Sequence, residues 1–212
     1  MVEIIPAILT DSSLKFKELV RRIEPYAARV HIDVADGVFV PNKTLKGHEE
    51  LRTIESALKF DVHLMVQRPQ YLLKEWYHTH VERFFIHAEA EVNLSEVINE
   101  IHGHGRRVGI VLNPETAVDK IDDFLDKIDY IQFMAVHPGF QGQGFLNEVV
   151  KKVSDFHDLY PNIPIGVDGG ITPETAPKLV EAGASILISG SYIINSDNVE
   201  KAIEELRKAV VK

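Results

Sequence analysis

The chain has 212 residues, 45% of them hydrophobic and 26% charged, with no cysteine and a formal net charge of −9. A chain this long buries a full core without a disulfide or metal staple, and the lack of cysteine removes disulfides, thiolate metal sites and a thiol nucleophile. The acidic balance argues against nucleic acid as a partner, because phosphate-backbone binding needs basic density, while a few backbone N–H groups can still hold one small phosphate.

Residues 1–10 contain Glu3 and Pro6 and lack a basic start followed by a long apolar run. No apolar run approaches the roughly 18 residues of a membrane span, so the expectation is a cytoplasmic protein without a membrane partner. Short β-branched runs then alternate with amphipathic segments. Strands are predicted at 3–9, 29–34, 60–66, 83–88, 107–112, 130–136, 163–167 and 184–189. Between and after them, apolar residues at three- and four-residue spacing predict helices at 14–23, 48–58, 71–80, 95–102, 117–125, 145–159, 174–182 and 198–211. Asn113-Pro114-Glu115 and Thr172-Pro173-Glu174 each set a capping residue before a proline, a helix-start signal. Gly183 stands where the helix after Pro173 should end.

Eight strand–helix pairs with strands this apolar imply a parallel sheet covered by helices. The prediction is one α/β domain over residues 1–212, a single (β/α)8 TIM barrel. The alternative, an open doubly wound sheet, usually has a glycine-rich turn after its first strand; here that turn is Thr10-Asp11-Ser12-Ser13.

In a barrel, polar residues at the C-terminal strand ends are the first functional candidates. His31 and Asp33 alternate with Val30, Ile32 and Val34, so both face the interior while the valines and isoleucine face the helices. His63 sits at a comparable height on the third strand and Asp168 ends the seventh. A lone strand histidine is more often a hydrogen-bonded core residue. Four such groups converging on one mouth instead suit one divalent ion of borderline softness, Zn, Fe, Mn or Co. Gly169-Gly170 after strand seven and Gly190-Ser191 after strand eight occupy the loops with which barrels often hold phosphate; the bland alternative is that these glycines only turn the chain. Residues 137–145, with Gly139, Gly142 and Gly144 around Phe140, read as a mobile loop that closes over substrate, or as a plain flexible connection. His137 opens that loop and is a candidate substrate contact. His78 and His80, placed in the third helix, are read as surface or packing residues, and His102 and His104, flanking Gly103 near a helix end, as solvated or dipole-facing.

Several stretches, in order, carry a resemblance. They are His31-Ile32-Asp33-Val34-Ala35-Asp36-Gly37, Phe39-Val40-Pro41-Asn42, Asp61-Val62-His63-Leu64-Met65, His87-Ala88-Glu89-Ala90, Gly109-Ile110-Val111-Leu112-Asn113-Pro114, Pro138-Gly139-Phe140 and Val167-Asp168-Gly169-Gly170-Ile171. With them the chain resembles the ribulose-phosphate 3-epimerase family, metal-dependent (β/α)8 barrels of the ribulose-phosphate-binding type. The resemblance implies that His31, Asp33, His63 and Asp168 bind the divalent ion and that Asp33 and Asp168 are the catalytic acid/base pair. It also implies that Gly170, Gly190 and Ser191 hold phosphate, that Met65 and Met134 line the pocket, and that the protein is a homo-oligomeric isomerase of the pentose phosphate pathway. Removing the C3 proton of a ketopentose phosphate and returning it on the other face, through a cis-enediolate, calls for two carboxyl groups on opposite sides of the carbon.

Ala7, Ala35, Val38 and Gln141 stand where the family usually has serine, methionine, a polar residue and glycine, and residues 43–47 also differ from the usual run. A wider pocket from Ala7 and Ala35 leaves a six-carbon ketose-phosphate 3-epimerase, acting for example on allulose 6-phosphate, as an alternative. A non-catalytic sugar-phosphate-binding barrel is a third reading. Related lyases carry an Asp-x-Lys-x-x-Asp signature, and Asp33-Val34-Ala35-Asp36 lacks the lysine.

Overall fold

Each apolar run becomes a strand whose alternate residues turn toward and away from a common axis. In the computed structural model, which describes residues 2–140 and 142–211, β1 (Glu3–Ile8), β2 (Arg29–Ala35), β3 (Lys59–Met65), β4 (Val81–His87), β5 (Arg107–Leu112), β6 (Tyr130–Met134), β7 (Ile165–Asp168) and β8 (Ile186–Ser189) pair in parallel in chain order. β8 closes onto β1 with Glu3 opposite Ile186, so the sheet is a closed (β/α)8 barrel. Gln141, a pocket-loop position in the sequence reading, lies outside the described residues.

The helices are α1 (Ser13–Ile23), α2 (His48–Thr53), α3 (Leu73–Trp76), α4 (Leu94–Gly103), α5 (Glu148–Leu159), α6 (Ala176–Glu181), α7 (Ser191–Ile194) and α8 (Val199–Val210). α1 starts where the Ser12 side chain accepts from the Lys15 N–H and ends with Arg21 and Arg22, basic residues that suit the negative end of the helix dipole. Two apolar layers result. Val30, Ile32 and Val34 pack outward with Phe16, Leu19 and Val20 between strands and helices. Ile5, Phe85, Val111, Met134 and Ile188 fill the barrel itself. Each such fully buried large side chain contributes about 1.5–3 kcal/mol.

Four helical expectations change. Residues 117–125 form a 3₁₀ stretch, Val118–Phe124, because Val118, Ile121 and Phe124 recur every three residues, the repeat of a 3₁₀ turn. Asn113-Pro114 therefore caps no α-helix and lies in the turn before it. The predicted helix at 71–80 shrinks to a 3₁₀ turn, Pro69–Tyr71, and α3; the buried Thr79 hydroxyl donates to the Trp76 carbonyl at 2.6 Å and closes its end, leaving His78 and His80 beyond the helix. α2 stops at Thr53 because Ile54 is extended, and the following turn is pinned by Glu24, which accepts from Ser56 Oγ and Ala57 N. After Thr172, whose hydroxyl donates to Glu174, a turn delays α6 to Ala176. Gly183 does follow α6 at φ +108°. A short helix that the periodicity did not show, α7, follows β8 directly.

At the N-terminal end of the barrel, Asp61 is fully buried between Arg29 (2.6 Å) and Arg83 (3.6 Å). Glu3 accepts from both arginines at 3.1–3.2 Å. Among the described residues no helix is long and apolar enough to cross a membrane.

Candidate active site at the C-terminal strand ends

The strand register assembles the cluster. β2 and β3 pair so that Asp33 lies beside His63, and β7 delivers Asp168 beside Met134 of β6. His31, Asp33, His63 and Asp168 are all buried, and one donor atom from each lies within 4.8 Å of the others. His63 Nδ1 is 3.0 Å from Asp33 Oδ1 and 3.4 Å from Asp168 Oδ2. His31 Nε2 faces the same two carboxylates at 3.9 and 3.8 Å, too far to hydrogen-bond.

Both ring nitrogens of His31 are therefore buried without a hydrogen-bond partner, a costly arrangement for a polar group. Burial, and then the charge of His63, push His31 well below its ordinary pKa, so it presents a neutral ring with a free lone pair. Two imidazoles and two carboxylates around a lone pair left unused form a cluster able to hold a divalent ion, and the donor set fits a transition metal. Burial, then the charge of Asp168, raises the Asp33 carboxyl to about 6 against the pull of His63. Burial works to lower His63, but hydrogen bonds to Asp168 and Asp33 outweigh it and raise the imidazole to about 9.

Above the cluster lies a pocket. Asp33, His63 and Asp168 form its floor, and Met65, Met134, Gly139, Gly142, Gly169, Gly170, Gly190 and Ser191 all line it, with Ala7, Leu9 and Phe140. His31 lies beneath, fully buried. Gly170 and Gly190-Ser191 thus come together from the ends of β7 and β8, in one pocket with residues 138–140, 142 and 143 of the loop after β6. Gly169 sits at φ +101°, and a Cβ there would lie 2.4 Å from Val136 Cγ2. Gly169→Ala is expected to push this loop out of place at a cost of about 1–3 kcal/mol; unchanged urea unfolding and unchanged kinetics would contradict that.

Some expectations do not survive. His137 is solvent-facing and pairs with Glu115 across the neighbouring loop at 2.9 Å; it is not among the residues lining the pocket. Ala35 packs with Met65 and Val40 in a small apolar cluster and does not line the pocket either, so of the two alanines only Ala7 widens it. His102 is part-exposed and pairs with Asp129 at 2.9 Å, while His104 faces the C-terminal end of α4, its Nδ1 2.9 Å from the Glu100 carbonyl, and stacks on Tyr77.

Two residues without an assigned role in the sequence reading touch the cluster. Gln132 on β6 is fully buried and donates to Asp168 Oδ2 at 3.2 Å. His87 on β4 places Nε2 2.8 Å from His63 Nε2. Strand alternation was the available signal: Gln132 shares the inward parity of Tyr130 and Met134, and His87 that of Arg83 and Phe85.

A closed parallel barrel with a His2Asp2 cluster and a pocket where its strands end defines a (β/α)8-barrel enzyme. The same fold occurs in 3-hexulose-6-phosphate synthase from Salmonella typhimurium (TM-score 0.72, 11% identity, 98% of each chain covered). The chain belongs to the ribulose-phosphate 3 epimerase family, whose sequence profile matches residues 3–194, and it is accordingly an isomerase. It is 35% identical to the ribulose-phosphate 3-epimerase of Bacillus subtilis over 98% of this chain and 99% of that protein. Identity to the chloroplastic ribulose-5-phosphate-3-epimerase of Arabidopsis thaliana is also 35%, over 95% of this chain and 75% of the relative.

Proposed function

We propose that the protein interconverts D-ribulose 5-phosphate and D-xylulose 5-phosphate by two-base proton transfer at C3. The observation that carries this reading is that two carboxylates from separate strands, Asp33 of β2 and Asp168 of β7, line one pocket whose walls include the glycines after β7 and β8. One carboxylate takes the C3 proton and the other, protonated, returns one to the opposite face. Close like charges favour such a pair with a single proton, in keeping with the raised Asp33. Between the two transfers the substrate is a planar cis-enediolate. Backbone N–H groups near Gly170, Gly190 and Ser191 would anchor the phosphate, and Met65 and Met134 would exclude water from the reacting carbon.

His31, Asp33, His63 and Asp168 would hold a divalent cation, which supplies Lewis-acid stabilisation of the negative charge that develops on the C2 oxygen. Protons compete for these donors, since His63 keeps one up to about pH 9 and Asp33 up to about pH 6. Ion affinity is therefore expected to fall about tenfold per pH unit below 9, and more steeply below 6. Competition with a chelating indicator across that range measures it, and a flat profile would contradict the ligand set.

The test of function is proton NMR in D2O with ribulose 5-phosphate and added Mn²⁺ or Zn²⁺. Formation of xylulose 5-phosphate with deuterium at C3, abolished by chelator, is the expected result. If folded, metal-loaded protein gives neither signal, the pentose reading fails. The pocket position of Ala7 then favours a six-carbon ketose phosphate, to be screened in the same assay.

A further inference from the structure

We infer that His87 and Glu89 are positioning residues that hold His63 as a neutral ligand with its Nδ1 lone pair facing the metal cluster. The inference rests on the metal reading above. His63 turns Nδ1 toward Asp33 and Asp168 and its other nitrogen away, to His87 Nε2 at 2.8 Å. Two ring nitrogens this close share one hydrogen, so one donates and one accepts. A ligand at Nδ1 has its lone pair there, and a neutral imidazole then carries its hydrogen on Nε2. His63 is thus the donor and His87 Nε2 the acceptor.

A neutral His87 in turn carries its hydrogen on Nδ1, and that atom lies 3.2 Å from Glu89 Oε2. Glu89 is an ionised acceptor. Burial works to raise its pKa, but the bond to His87, the Thr116 hydroxyl on Oε1 and the Asn113 N–H outweigh it and hold the carboxyl at about 2. Every link has one polarity, ending on a carboxylate anchored to the loop after β5. His87 is fully buried, meets His63 edge-on through Nε2 and packs against Phe39, ring centroids 4.7 Å apart, so rotation would break both contacts. His87 touches the cluster only through His63 and adds no donor of its own, because its Nε2 is spent on that contact. Outer partners of this kind fix the tautomer and the orientation of a ligating imidazole.

The test is Co²⁺ and Zn²⁺ affinity, by competition with a chelating indicator, for the wild type and for His87→Phe, His87→Gln and Glu89→Gln, each checked for folding by thermal melting. ¹⁵N–¹H correlation spectra of the Zn²⁺-loaded wild type read the His63 tautomer directly. His87→Phe keeps the ring and removes both nitrogens, so its affinity is expected to fall by about 10- to 100-fold. Glutamine can both accept and donate, so His87→Gln recovers most of that loss, and Glu89→Gln falls between. The spectra show His63 protonated at Nε2. Wild-type affinity in folded His87→Phe, equal losses in the phenylalanine and glutamine variants, or a His63 protonated at Nδ1 would each overturn the inference. A wild type that binds neither ion overturns the metal reading as well, and so is distinguishable from a failure of the positioning role alone.

Discussion

Asp33→Asn and Asp168→Asn are each expected to lower kcat for epimerisation by about 10³-fold or more, near the upper range for loss of a general acid or base. Asparagine keeps the shape of the side chain and loses its capacity to carry the C3 proton. Because Asp33 and Asp168 reach the pocket floor from β2 and β7, the proposed two-base scheme gives each of them one face of the substrate carbon. Residual exchange with D2O should therefore be confined to one epimer in each variant, ribulose 5-phosphate in one and xylulose 5-phosphate in the other. The loss of a cation donor is separated from the loss of a base by measuring ion affinity in parallel. Turnover close to wild type in either variant, or exchange of both epimers in both, would end the two-base scheme.

The second large effect lies at the opposite end of the barrel. Asp61→Ala is expected to destabilise the fold by about 3–5 kcal/mol, the usual cost of removing one partner from a buried ion pair. For a chain of this length that corresponds to a fall in Tm on the order of 10 °C. Burial pushes the Asp61 carboxyl up to about 7 despite the attraction of Arg29 and Arg83, so the pairing itself is a weak source of net stability. Breaking it is costly because Arg29 and Arg83, buried at 5% and 9% exposure, both lose a carboxylate, leaving Glu3 to share between them and Glu82 on Arg29. Equilibrium urea unfolding gives the difference, and a change below about 1 kcal/mol, the range of exposed pairs, would show that Glu3 and Glu82 suffice.

Much of the barrel was legible because its signals are local. A period of two on an apolar strand separates Val30, Ile32 and Val34 from His31 and Asp33 before any contact is known, and all eight predicted strands are present. Helix identity was less legible, since Val118, Ile121 and Phe124 satisfy the same coarse pattern whether the turn holds 3.0 or 3.6 residues. His137 shows a further limit: a loop residue beside a glycine-rich motif faces solvent or substrate according to its neighbours, and here Glu115 on another loop takes it.

The amino-acid order alone determined the eight strand–helix repeats, the inward parity of His31, Asp33 and His63, the glycines at the ends of β7 and β8, and the family resemblance. Only closure of the sheet decided which of these groups meet. His63 and Asp168 are 105 positions apart in the chain, yet barrel closure leaves them 3.4 Å apart. The same closure sets His87 edge to edge with His63, their Nε2 atoms 2.8 Å apart, and seats Asp61 between two arginines. Side-chain parity is a property of one strand, whereas these distances depend on strand register and on the curvature of the whole sheet, to which every strand contributes.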